Sequence, residues 1–189
     1  MNTKTKTMVG IGLFTAIVVV LQLLGGSIKV GSLFSISLVL VPIVVGSAVY
    51  GWKAGGWLGL AFGIAVLLSG DAAAFLAIHV PGTVLTVLLK GACSGMAAGL
   101  MYKAFSRWGN FLGAIMAAII CPVVNTGIFL IGCKLFFYDT ICAWAADLGF
   151  ANAAAYMFLG LAGVNFLVEL GTNIVLAPVI TRLIKLGKK

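Results

Sequence analysis

The sequence predicts an all-α integral membrane protein with six transmembrane helices and both termini cytoplasmic. Three observations carry this. The 189 residues are 62% hydrophobic and only 8% charged, whereas soluble chains carry about a quarter charged residues. Mean hydropathy is +1.22, and runs approaching the roughly 20 apolar residues that cross a bilayer recur along the chain. The basic residues sit at the ends of those runs, where positive charge sets topology. Almost nothing is left over for an aqueous domain, so residues 1–189 are expected to form a single transmembrane domain.

The first helix is expected from Met8 to Leu24. Its leader, MNTKTKT, superficially resembles a secretory signal. No small-residue cleavage site follows clearly and five further apolar segments do, so it reads as a retained helix. After the breaker GGSIKVGS, a second helix is expected from Leu33 to Tyr50, and the tight YGWKAGG leads into a third from Trp52 to Ser69. Gly55, Gly59 and Gly63 recur every four positions in the third, lining one face with small side chains so that another helix can approach closely. Packing within the bundle is the reading for that face.

The join SGDAAAFLAIHVPG precedes a fourth helix from Gly82 to Phe105, with Pro81 at its entry, where a missing N–H is not needed. SRWGN then leads to a fifth from Asn110 to Leu135, and FFYDTICAWAADLG to a sixth from Asn152 to Ile184. Pro42, Pro122 and Pro178 fall within expected spans, where neighbouring helices or polar side chains must compensate for lost backbone bonds.

Charge fixes the expected orientation. Lys4, Lys6, Lys53, Lys103, Arg107, Arg182, Lys185, Lys188 and Lys189 fall on the side of the N-terminus. The other side holds Lys29, Lys134, Asp71, Asp139 and Asp147. Positive residues mark the cytoplasm. The net charge of +8 therefore points to topology and not to nucleic acid, since the basic residues are not interleaved with stacking aromatics. Cys93, Cys121, Cys133 and Cys142 form no CxxC pair and have no neighbouring histidine. They read as packing residues, with no metal site and no cofactor.

Two charges stand inside apolar runs: Lys90 in TVLLKGACSGMAAGL and Glu169 in VNFLVELGTNIVL. A cation in hydrocarbon costs roughly 2.5–3.5 kcal/mol on insertion scales, so it faces a partner or a water-filled cavity. Thr83, Thr86, Lys90 and Ser94 share one face of the fourth helix by their three- and four-residue spacing, as do Asn165, Glu169 and Asn173 on the sixth. Asn125 and Thr126 follow Pro122 in the fifth. At about 1.5 Å per residue, Lys90 lies about 12 Å below the outer end of its helix, Asn165 about 20 Å below the outer end of its own, and Asn125 about 22 Å above its inner end. Thr86, Lys90, Asn125, Asn165 and Glu169 are the candidate substrate-binding residues. Two readings of the lysine stand: a ligand anchor, or a Lys90–Glu169 salt bridge that only locks helices. Asp71 and Lys29, at loop positions, read as solvated, and His79 as interfacial.

No GxxxxGK[ST] motif occurs, so the chain does not cradle nucleotide phosphates as a P-loop protein does. The sole histidine, His79, lies fifteen residues from Ser94, about 22 Å along one helix. That is beyond the reach of a nucleophile and its base. Binding is favoured over catalysis, no enzyme is expected, and active transport needs an external energy source.

The chain resembles the substrate-binding S components of energy-coupling factor (ECF) vitamin transporters. The resemblance rests on SLVLVPIVVGSAVYGWKAGGWLGLAFG, on HVPGTVLTVLLKGACSGMAAGLMYKAF with Lys90 where a basic residue is common, on PVVNTGIFLIG, and on VNFLVELGTNIVLAPVI. It spans essentially the whole chain. It implies a subunit of the bacterial cell membrane that binds a vitamin from outside, under a lid corresponding here to GGSIKVGSLFS. It also implies delivery inward with a transmembrane coupling protein and two ATPase subunits. The family's AxxxA-like coupling face is matched by Gly12 and Ala16 on the first helix, with glycine in the first place. The NT pair and the basic residue look most like the pantothenate-type members, then the riboflavin and folate types. A self-sufficient small channel or secondary carrier, using Lys90 and Glu169 as its polar pathway, is the alternative.

Overall fold

The structure is a computed structural model that describes residues 3–25 and 38–187. Regular structure among these residues is helical throughout. In chain order the elements are α1 (Thr3–Gly25), α2 (Leu40–Tyr50), α3 (Trp52–Ser69), the short α4 (Ala73–Leu76), α5 (Val80–Phe105), α6 (Asn110–Phe136) and α7 (Tyr138–Asp147). The short α8 (Ala153–Ala155), a π-helical segment (Tyr156–Gly163), α9 (Val164–Val175) and α10 (Ala177–Gly187) complete the chain. Five helical stretches are long and apolar enough to cross a membrane: Lys4–Gly25, Trp52–Ser69, Val80–Phe105, Asn110–Phe136 and Ala153–Val175. The start of the expected second span, from Leu33 to Ser37, lies outside the described residues, and so does most of the lid segment.

The centre of the bundle is α2, which buries Leu40, Ile43, Val44 and Val45. Pro42 falls in the first turn of α2, where its absent N–H breaks no intrahelical bond. α1 and α3 pack on α2, and so do α5, α6 and α10. The α2–α3 turn is a single residue, Gly51, at φ 93°. Only glycine enters that region without a Cβ penalty.

The tightest crossing joins α3 to α5. A Cβ on Gly55 would meet the carbonyl oxygen of Gly95, and one on Gly59 would meet that of Gly91. One on Gly63 would stand 2.9 Å from the carbonyl oxygen of Val87. Gly91 and Gly95 in turn meet the carbonyls of Gly59 and Gly55. Glycines on both helices thus place backbone against backbone, and the stripe on α3 has the packing role expected of it. Ser94 belongs to this seam: it is fully buried and its hydroxyl donates to the Gly91 carbonyl oxygen at 2.8 Å.

Two joins expected to be loops carry helix. SGDAAAFLAIHVPG contains α4, and FFYDTICAWAADLG contains α7, whose Ile141 and Ala145 are buried. The expected continuous helix from Asn152 to Ile184 is instead divided. Asn152 caps it, its Oδ1 accepting from the Ala155 N–H at 2.8 Å, but the next two turns are π-helical and end at Gly163. A second break at Leu176 separates α9 from α10. Pro178, lacking an N–H and clashing with the preceding turn, suits the start of a new helix better than the interior of an old one.

Replacing Gly59 with valine should force α3 and α5 apart and lower the thermal midpoint in detergent, at an expected cost of about 1–3 kcal/mol or more from overpacking. Gly171→Ala, at an exposed helical position with nothing within 4 Å, should instead stabilise by up to about 1 kcal/mol.

Candidate functional site

The polar residues of α5, α6 and α9 converge. Thr86, Lys90, Asn125, Asn165 and Glu169 all line one cavity of about 270 Å³. That is near the lower end of the roughly 300–1,000 Å³ typical of ligand pockets. Thr83 and Thr126 join them, and Phe62, Phe75, Phe129, Phe137 and Phe166 supply an aromatic lining. An apolar wall with a few converging polar groups is the usual composition of a small-molecule site.

Each helix places its side chain for a local reason. α5 starts on a cap: His79 Nδ1 accepts from the Gly82 N–H at 3.0 Å, and Thr83 Oγ1 donates to the His79 carbonyl oxygen at 2.9 Å. His79 is exposed, stacks on Phe136 with centroids 5.9 Å apart, and is not part of the cavity wall. One face of α5 then presents Thr83, Thr86 and Lys90 to the cavity, while Gly91 beside Lys90 touches α3. α6 comes close to α5 because Gly132 has no side chain where Thr86 sits. α9 offers Asn165, Phe166 and Glu169. Asn173 does not reach the cavity: it is 1% exposed, and its side-chain amide turns back to donate to the Glu169 carbonyl oxygen at 2.9 Å.

Lys90 is the electrostatic centre. Its ammonium lies 5.2 Å from the ring centre of Phe129 and 5.9 Å from that of Phe62. Among the described residues it makes no hydrogen bond or ion pair, with Glu169 or any other group. Of the two readings of Lys90, the helix-locking salt bridge is therefore not formed in this structure. Two cation–π contacts are worth roughly 0.5–2 kcal/mol each, which offsets only part of the cost of a cation in hydrocarbon.

The neighbours are equally unspent. Thr86 Oγ1 and Asn125 Oδ1 are buried without a hydrogen-bond partner. Glu169, 8% exposed, uses only its backbone carbonyl in the hydrogen bond with Asn173. Buried polar atoms are nearly always satisfied. Of the three that are not among the described residues, Thr86 Oγ1 and Asn125 Oδ1 line the cavity and Asn173 Oδ1 lies outside it, so the cavity offers free acceptors to a polar occupant.

Two residues missed in the sequence complete the wall. Asp71 is an exposed turn residue, as expected, and it also lines the rim of the cavity, following the left-handed Gly70 (φ 84°) that ends α3. Gln22 reaches the same wall from α1. It was legible as the one polar residue in the run AIVVVLQLL. Phe75 closes this end, packing edge-on against Phe129, Phe137 and Trp144 at 5.6, 5.1 and 5.8 Å.

Gly12 and Ala16 lie elsewhere, exposed on the outer face of α1, with nothing within 4 Å of a Cβ on Gly12. The cysteines are free: Cys121 and Cys133 are buried, Cys93 half-buried and Cys142 exposed. No cluster of metal-ligating side chains occurs among the described residues.

A helical bundle of membrane-spanning composition around a largely apolar cavity with converging polar groups is the architecture of a membrane-embedded binder of small molecules. The chain belongs to the family described as ECF transporter, substrate-specific component, which it matches over residues 6–181. No curated protein and no solved structure matches it. It is thus a multi-pass membrane protein and the substrate-specific subunit of a transporter, not an enzyme. Such subunits bind small-molecule vitamins and work with a coupling protein and ATPases.

Thr86→Val removes a buried hydroxyl that bonds to nothing, so the thermal midpoint in detergent should hold or rise, by up to about 1–3 kcal/mol equivalent. A loss above about 1 kcal/mol would reveal a hydrogen bond made by this hydroxyl.

Proposed function

We propose that this chain binds its vitamin in the cavity around Lys90, with Thr86, Asn125, Asn165 and Glu169 as the contacting polar residues. The observation that carries this reading is the grouping around one cavity of two buried, unpartnered acceptors, Thr86 Oγ1 and Asn125 Oδ1, with the half-buried Lys90 ammonium. Lys90 supplies charge for a carboxylate or another strong acceptor, and a charge-assisted hydrogen bond at a desolvated site is among the stronger contacts available. Pantothenate is the first choice of substrate, ahead of riboflavin and folate. It carries one carboxylate for Lys90 together with hydroxyl and amide groups for the threonine and asparagines.

The chain acts as one transmembrane domain of six spans in the bacterial cell membrane, with both termini inside, as the charge asymmetry of its helix ends supports. Substrate enters from outside and leaves inward through the action of a transmembrane coupling protein and two ATPase subunits. The exposed strip of α1 carrying Gly12 and Ala16 is the surface for the coupling protein. Its small residues allow a close helix–helix approach.

The test is binding of pantothenate, riboflavin and folate by the purified subunit in detergent or nanodiscs. Wild type should bind one of them tightly, and Lys90→Met should weaken that binding about 10–100-fold. Unchanged affinity in Lys90→Met would remove the lysine from the site. Uptake into vesicles should require the coupling protein and ATP; uptake by this chain alone would favour a self-sufficient carrier.

A further inference from the structure

The end of the cavity nearest α1 holds a second polar group that the Lys90 cluster does not use. Gln22 is 6% exposed, and its Nε2 donates to Asp71 Oδ2 at 2.5 Å and reaches Ser69 Oγ at 3.4 Å. Ser69 Oγ also donates to Asp71 Oδ2 at 3.1 Å. Asp71 can only accept, which fixes the orientation of the Gln22 amide. The Gln22 carbonyl Oε1 accepts nothing among the described residues, and both side chains line the cavity. One end of the cavity is thus rich in acceptors, while the lysine supplies its cation. With Glu169 included, the wall carries two carboxylates against one ammonium.

We propose that Gln22 and Asp71 form a second recognition pole that accepts hydrogen bonds from hydroxyl or N–H groups of the ligand. This rests on the reading of the cavity as the vitamin site and narrows its substrate class. The ligand carries an acidic or strongly accepting end at Lys90 and a donor-bearing end at Gln22 and Asp71. A second anionic group at that end is disfavoured, because it would face the Asp71 carboxylate at short range. The same pole would tie ligand occupancy to the position of α1, since Gln22 is the residue through which α1 reaches the cavity.

Two pairs of probes test this: pantothenate with 4′-phosphopantothenate, and riboflavin with riboflavin 5′-phosphate. Within each pair, phosphate replaces a hydroxyl at the end remote from the acceptor groups expected at Lys90. Binding is measured calorimetrically on the full-length subunit in nanodiscs, with thermal unfolding as the check of folding. Wild type should prefer the unphosphorylated member of the pair it binds by about tenfold or more. Asp71→Asn keeps an acceptor for Gln22 and so keeps the tether between α1 and α3, yet it should narrow that preference about three- to tenfold. Gln22→Met should weaken the parent compound about 5–30-fold.

If wild type binds a parent vitamin while Asp71→Asn and Gln22→Met alter neither affinity nor preference, the second pole is wrong and the vitamin site stands. If folded wild type binds neither pantothenate nor riboflavin, the second pole falls together with that choice of substrates.

Discussion

The crossing of α3 and α5 is the contact on which the site depends. Gly55 and Gly59 meet Gly95 and Gly91 with no side chain between the backbones. In lipid, the hydrophobic effect gives helices no reason to prefer one another over acyl chains, and close van der Waals packing of small residues takes its place. The crossing also sets the orientation of both helices about their axes. With the glycine faces locked together, Phe62 and Val66 of α3 and Val87 and Lys90 of α5 turn to the same cavity. A side chain at either glycine seam would move the lysine relative to the rings of Phe62 and Phe129.

The second constraint is electrostatic. The ammonium of Lys90 sits over two phenyl rings without an ion pair, while Glu169 lines the same cavity with its carboxylate uncommitted. A purely structural lysine would be expected to pair, because an uncompensated charge away from water is expensive. Thr86 Oγ1 and Asn125 Oδ1 without partners cost stability, a cost that the proposed binding role would explain. Functional sites commonly break local rules of polar satisfaction, although Asn173 Oδ1, outside the cavity, is also buried without a partner. Elsewhere in this bundle the hydroxyls of Ser47, Ser94 and Thr181 are satisfied by carbonyls on their own helices.

The last third of the chain differs in character from the α2–α3–α5 core. The π-helical segment from Tyr156 to Gly163 runs directly into the residues that face the cavity, Leu161, Ala162, Asn165 and Phe166. π-Helical turns alter the register of side chains and are found disproportionately at functional sites. Here the altered register precedes α9, so that Asn165 and Glu169 reach the cavity while Asn173, one turn further on, is diverted into a backbone hydrogen bond.

Composition and periodicity were sufficient to read a helical membrane protein, most helix boundaries and the polar face of α5. Each follows from local rules: about 20 apolar residues to span a bilayer, and 3.6 residues per turn to align Thr83, Thr86 and Lys90. Gly55, Gly59 and Gly63 announced a close approach, but the spacing did not say to which helix, because a small-residue face carries no address for its partner. Local rules also failed where a residue's role depends on distant chain. Asp71 reads as a loop acid until the turn at Gly70 brings it to Gln22, 49 positions away. Ser94 and Asn173 share helical faces with site residues yet are absorbed by backbone carbonyls, a competition that spacing alone does not resolve. The sequence by itself determined which helices form and which polar residues are costly in hydrocarbon. Only the tertiary structure decided which of them meet, because convergence on one cavity depends on helix rotation, and helix rotation is set by packing across the glycine seam.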